Sequence, residues 1–268
     1  MKRFVLVLTP VVLLAACGKG EPEPTSSAFD AVIATAHAAE PAPAAKAVKF
    51  AVETPRYSFD FVYPAAAAAI PALKARLDAE RAKAQADIAA QAREGAQQAK
   101  ADGFDFNPYS RSIVYSKVTE LPGWLSMNGQ YSDFTGGAHG NSGSSALLWD
   151  KAAGTVREPV SLFVSKAGFD AVLGPALCAA INKERAVRRG APVEAGSGDD
   201  FEECPAPSSL TVLLGSANRL QFTRIGFIAD PYVAGPYSEG SYEVTLPVTP
   251  ALLKVVKPEY RAAFAAGR

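Results

Sequence analysis

The chain has 268 residues, with 27 Lys and Arg balanced by 27 Asp and Glu and a hydrophobic fraction of 49% that alanine inflates. With no basic excess there is no electrostatic footprint for nucleic acid, and none is expected as a partner. The residues beyond position 48 suffice for one substantial domain or two small ones.

The chain start predicts an address. Lys2 and Arg3 precede an apolar run over residues 4–13, about half of the roughly 20 residues a membrane-spanning helix needs. Leu14-Ala15-Ala16-Cys17 follows, small residues placed directly before a cysteine. This is the pattern of a bacterial lipoprotein signal and lipobox, a variant of the secretory signal that ends in Ala-x-Ala. It predicts cleavage before Cys17, a lipid on Cys17, and a membrane contact through that lipid. Gly18 rather than Asp follows the cysteine, which by the Gram-negative sorting rule favours the outer membrane, with the protein facing the periplasm. Losing Lys2 and Arg3 with the signal leaves an excess of two acids. Residues 18–47 are rich in Pro, Ala and Glu without hydrophobic periodicity, and read as a disordered tether. His37 falls there.

Of three cysteines, Cys178 and Cys204 remain once Cys17 carries lipid. An even pair in an oxidising compartment predicts one disulfide, closing a loop rich in Gly, Ser, Asp and Glu. Two unrelated buried thiols are the alternative.

The folded part, residues 48–268, opens with aromatics at 57, 59, 61 and 63, a period of two that predicts a half-buried strand ended by Pro64. A long helix follows from Pro71 to Lys100 or Ala101. Its apolar stripe, Ile70, Leu73, Leu77, Ala84 and Ile88, is narrow and thin in large side chains. Lys74/Asp78, Arg76/Glu80 and Lys83/Asp87 are spaced as i,i+4 ion pairs. The stripe suits an alanine-rich helix resting on its own sheet better than a coiled coil. Residues 109–159 read as strands, with a short hairpin turn at Lys151-Ala152-Ala153-Gly154. Residues 165–189 read as helix, with Gly174-Pro175 a possible division. Strands return at 210–214, 220–229 and 242–248, and Thr249-Pro250 caps a last helix. The order of elements predicts an α+β fold with a mainly antiparallel sheet, a long Ala-rich helix packed on it, further helices and one disulfide. Two subdomains, 48–108 and 109–268, are an option.

Two stretches concentrate candidate residues. Tyr131–Asn141 (Y-S-D-F-T-G-G-A-H-G-N) holds Gly136, Gly137, His139 and Asn141, and Asp230–Gly240 (D-P-Y-V-A-G-P-Y-S-E-G) holds Tyr232 and Tyr237. A triad would need His139 with Ser132, Ser142, Ser144 or Ser145 and with Asp133 or Asp150, but no G-x-S-x-G elbow is present. A single histidine in the folded region lacks partners at metal-ligating spacing, and the glycine spacing is not that of a phosphate loop. No catalytic residue, metal or cofactor is therefore assigned. His139 and Asn141 either pin their loop or also line a recognition surface. Tyr232 and Tyr237 are either packing residues or a ligand platform.

T-G-G-A-H-G-N, then L-L-W-D at 147–150 and V-S-L-F at 160–163, then D-P-Y-V-A-G-P at 230–236 and Y-E-V-T-L-P-V at 242–248, resemble an extracytoplasmic domain family of unknown function. That family occurs in the anti-sigma factor RsiV and beside the catalytic domain of the peptidoglycan deacetylase PdaC. The resemblance covers roughly residues 52–256 and implies an α+β cell-envelope binding module. Its expected partner is a lysozyme-like protein or a peptidoglycan fragment. A cell-wall hydrolase using His139 and a structural envelope lipoprotein are the alternatives.

Overall fold

The computed structural model describes residues 45–193 and 201–267. The signal, Cys17, His37 and the tether up to residue 44 lie outside the described residues.

Strand β1 (Val48–Glu53) pairs antiparallel with β2 (Tyr57–Tyr63), from Val48↔Tyr63 to Glu53↔Ser58. Pro64 ends β2, and a four-residue helix α1 (Ala65–Ala68) leads to α2 (Pro71–Asp102). Pro71 occupies the first turn of α2, where its missing N–H costs nothing. Gly103 caps the far end at φ 76°, a left-handed conformation open to glycine without a Cβ penalty. The helix carries the chain back so that β3 (Tyr109–Leu121) lies parallel to β2. β4 (Trp124–Phe134), β5 (Asn141–Asp150) and β6 (Thr155–Arg157) then add in antiparallel order. The result is a six-stranded sheet in sequence order with one parallel pair. A division near residue 108 finds no seam, because β2 and β3 pair across it.

Side chains alternate between the two faces of a sheet. On the front face Phe59, Phe61, Tyr63, Tyr115, Leu125, Met127, Leu147 and Trp149 pack against Leu73, Leu77 and Ile88 of α2. The thin helical stripe is thus met by an aromatic-rich sheet face. Tyr63 and Tyr115 reach past the core to donate hydrogen bonds to Asp78 (2.8 Å) and Glu80 (2.7 Å) on the helix. Two of the three helical ion pairs form, Lys74–Asp78 and Lys83–Asp87. Glu80 turns to Tyr115 instead of Arg76.

The back face meets a second layer only at one end. β7 (Thr211–Gly215), β8 (Arg224–Ala229) and β9 (Tyr242–Pro247) form a three-stranded antiparallel sheet whose β7 lies against β3, β4 and β5. Helix α3 (Lys166–Arg189) covers it with Phe169, Leu173, Leu177 and Ile181, joined by Trp124 and Leu148 from the first sheet. Ser165 caps α3 through Gly168 N. Pro175 sits inside this helix without dividing it. An interior proline removes a helical hydrogen bond at a cost of about 3 kcal/mol. The apolar stripe runs through it on one buried face and offsets that cost. Cys178, off the stripe, forms the expected disulfide with Cys204 at a Cα–Cα distance of 5.3 Å. α4 (Pro250–Val255) follows β9, capped by Thr249.

Candidate functional site

The β4–β5 hairpin is in register from Trp124↔Asp150 to Asp133↔Asn141. Its loop contains the glycine-rich stretch. Gly136 (φ 94°) and Gly137 (φ 93°) occupy conformations that a side chain would strain, and they reverse the chain so that His139 follows the turn. The His139 Nδ1 lies 2.8 Å from Gly140 O. Only a protonated Nδ1 can donate to a carbonyl, so in the neutral ring the lone pair is on Nε2. The imidazole stacks on Tyr237, with ring centroids 4.2 Å apart and planes at 24°. Tyr237 donates its hydroxyl to the same Gly140 carbonyl at 2.9 Å, and its ring lies 5.6 Å from that of Tyr232.

Two loops far apart in sequence therefore form one aromatic strip, His139–Tyr237–Tyr232. Tyr232 adopts φ 72° and is 55% exposed. A left-handed non-glycine residue costs about 1 kcal/mol or more, and an exposed ring recovers little of it by burial. The turn bonds Tyr232 N–Gly235 O (3.1 Å) and Val233 N–Asp230 O (3.0 Å) hold it there. Asn141 stays outside the strip, exposed at the start of β5 with no side-chain hydrogen bond among the described residues.

Beside the loops a cleft of about 340 Å³ opens between the back of the first sheet and the edge of the second. Ser112, Gln130, Ser132, Ser142 and Ser144 line one wall, and Asp230, Ser241 and Glu243 the other. Asp230 joins the walls, accepting from Ser144 Oγ (2.8 Å) and Ser144 N (2.9 Å). Ser112, Gln130, Asp230 and Glu243 were not singled out in the sequence, and Ser132, Ser142 and Ser144 were weighed there only as nucleophiles. For Ser112 and Gln130 the signal is a polar residue on a face of β3 and β4 that a covered strand would keep apolar; Asp230, just after β8, and Glu243, on β9, carry no such signal.

The tyrosine loop is held from behind by the last turns of α3. Arg185 is wholly buried. It donates to Ala234 O (2.8 Å), Asn182 Oδ1 (2.8 Å), Glu202 O (2.9 Å) and Glu203 O (2.9 Å). Burial pushes its guanidinium pKa down, aided by the neighbouring Arg189. Arg188 donates to Glu239 O (2.6 Å) and Ser241 O (3.0 Å), and Arg189 forks onto the Glu239 carboxylate at 2.8 and 3.1 Å. Tyr242 also donates to that carboxylate.

Arg189 holds the Glu239 carboxyl below the usual carboxylate range, against the opposing effect of burial. A carboxyl more acidic in the folded state stabilises it fully above the unfolded pKa and loses that effect as pH falls through the folded value. Amide exchange of residues 234, 235 and 237–241, corrected for intrinsic rate, should therefore quicken below about pH 4. Glu239→Gln should exchange faster at neutral pH and lose this acid dependence.

Of the residues considered for a triad, Ser132 and Ser142 face the cleft and the others are engaged elsewhere. Asp133 pairs with Arg111, Asp150 with Arg157 and two turn amides, and Ser145 with Gly129 O. Ser144 is bound to Asp230 and Thr211, and His139 to Gly140 and Tyr237. Among the described residues no Ser-His-Asp relay is assembled, and no group of three or more His, Cys, Asp or Glu side chains is placed to hold a metal ion.

The fold is similar to that of two solved proteins of the DUF3298 family. One, from Bacteroides fragilis, superposes with a TM-score of 0.54 at 16% identity, covering 82% of this chain and 96% of its own. The other, from Pseudomonas aeruginosa, gives a TM-score of 0.50 at 18% identity, covering 84% and 98%. Residues 51–142 match the family model described as Deacetylase PdaC. No curated protein matches the sequence. The resemblance to the RsiV- and PdaC-type extracytoplasmic domain is borne out by these matches, over residues 51–142 by sequence and over most of the chain by fold.

Proposed function

We propose that this chain is a lipid-anchored, non-catalytic envelope module that binds a glycan fragment of peptidoglycan in the periplasm. The observation that carries this reading is the strip His139–Tyr237–Tyr232 beside a cleft of hydroxyls and carboxylates. Flat rings stack on the C–H faces of a sugar, while serine hydroxyls, Gln130, Asp230 and Glu243 offer donors and acceptors to its hydroxyls and amides. The exposed ring at a strained backbone position supports a recognition role, since such strain persists where the surroundings enforce it. Resemblance to a domain that accompanies a peptidoglycan deacetylase supports the ligand class. The anchor is Cys17, and the outer membrane is its expected destination. Cys17→Ser should leave the protein in the soluble periplasmic fraction; continued membrane association would contradict the anchor.

Soluble muropeptides titrated into the purified protein should bind, and Tyr237→Ala should weaken binding at least tenfold, about 1.4 kcal/mol, with the fold intact. Unchanged affinity in that variant would overturn the strip as the site. A second reading is favoured by the exposed Tyr232 and Val233 at the loop tip, which would suit a protein partner such as a lysozyme. Binding of lysozyme without binding of muropeptides would select it. Turnover of cell-wall material that His139→Gln abolishes while binding persists would establish the enzyme alternative.

A further inference from the structure

A pocket remote in chain position from the two motif loops lies where the β1–β2 turn meets α2. It has a volume of about 440 Å³ and is lined by Thr54, Pro55, Arg56, Tyr57, Ala89 and Arg93. No carboxylate lines it. Arg111, Arg157, Arg188 and Arg189 each hold an acidic side chain. By contrast, the Arg56 and Arg93 guanidiniums have neither an ion pair nor a hydrogen bond among the described residues. Two unpaired guanidiniums therefore frame a floor made of Pro55, the Tyr57 ring and the small Ala89 side chain.

Both cations are presented on rigid backbone. Thr54 Oγ1 accepts from Arg56 N (3.2 Å) and Tyr57 N (2.9 Å), and Thr54 N donates to Tyr57 O (2.9 Å). On the other side Arg56 O accepts from Tyr109 N at 3.0 Å, tying the turn to β3. Arg93 stands on the long helix α2, one turn after Ala89. Arginine offers a planar fork of donors matched to carboxylate and phosphate oxygens. With the backbone fixed beneath both side chains, only their own rotamers remain to be ordered when a ligand binds.

We propose that this pocket binds a small amphiphilic anion: a carboxylate or phosphate head gripped by Arg56 and Arg93, with an apolar body lying on Tyr57 and Ala89. The site is independent of the aromatic strip, so either can fail without the other.

The test uses benzoate and phenyl phosphate as probes, followed by backbone amide shifts of the intact folded chain. At least one probe should give saturable shifts at residues 54, 56, 57, 89 and 93, and their ratio tells which head group is preferred. Inorganic phosphate, which lacks the apolar body, should bind at least tenfold more weakly than phenyl phosphate. Arg93→Ala should weaken the preferred probe at least tenfold, and Arg93→Lys, which keeps charge but not the fork, should weaken it less. Ala89→Phe should abolish binding by filling the floor without altering charge. Arg224→Ala, on the second sheet, should leave it unchanged and serves as the control for diffuse charge attraction. Absence of saturable shifts with both probes, or binding that survives Ala89→Phe and Arg93→Ala, would overturn the proposal.

Discussion

Replacing Arg185 with Met should destabilise the fold by about 3–5 kcal/mol, because it strips every donor from four enclosed acceptors. The side chain is fully enclosed and satisfies four acceptors, three of them backbone carbonyls on two separate segments. A methionine fills much of the volume but leaves those acceptors dry, at about 1 kcal/mol or more apiece. Lysine should rescue only part of the loss, because a single ammonium cannot serve carbonyls spread around a planar fork. The effect should reach the candidate site, since Ala234 lies between Tyr232 and Tyr237. Equilibrium urea unfolding measures the first consequence, and exchange at residues 232–235 and 237–241 the second. A loss below 1 kcal/mol with an unaltered tyrosine loop would show that the clamp is dispensable.

Removing the disulfide should cost about 3 kcal/mol, the value expected for closing a loop of this length. Cys178 and Cys204 lie 26 residues apart in sequence, and Glu202 and Glu203, which offer their carbonyls to Arg185, immediately precede Cys204. The bond therefore fixes two of the four acceptors on which Arg185 depends. In the Cys178→Ser/Cys204→Ser variant the Arg185→Met change should be less costly than in the oxidised protein. A double-mutant cycle on urea unfolding should give a coupling of about 1 kcal/mol or more. Strict additivity would show that bridge and clamp act separately. Intact mass under non-reducing conditions checks the bond itself.

Periodicity made β2, α2 and the strands of the second sheet readable, because each buries one face against a well-defined core. β1 is harder to see: its inward Val48, Phe50 and Val52 alternate with Lys49, Ala51 and Glu53 directly after an alanine- and proline-rich stretch. The first half of β5, Asn141 to Ser145, carries serine and glycine where a covered strand would carry apolar residues, because the cleft lies over that face. In the site, glycines and a lone histidine marked one loop, and clustered Pro, Gly and Tyr the other. Their meeting could not be read, since the Tyr237–Gly140 bond spans 97 residues and depends on how the second sheet docks. Arg185 looked like an ordinary basic residue near a helix end. Nothing local in the sequence distinguishes a cation that favours the helix dipole from one that holds a distant loop.

The most direct test of the strip as a sugar platform is the ring signals of the histidines. The chain contains only His37 and His139, so two imidazoles can be followed by carbon-labelled NMR while soluble muropeptides are added. A saturable shift of the His139 ring is expected, with Tyr237 and Tyr232 following the same curve and His37 unmoved. Binding that shifts none of these three rings, or no binding at millimolar muropeptide, would contradict it.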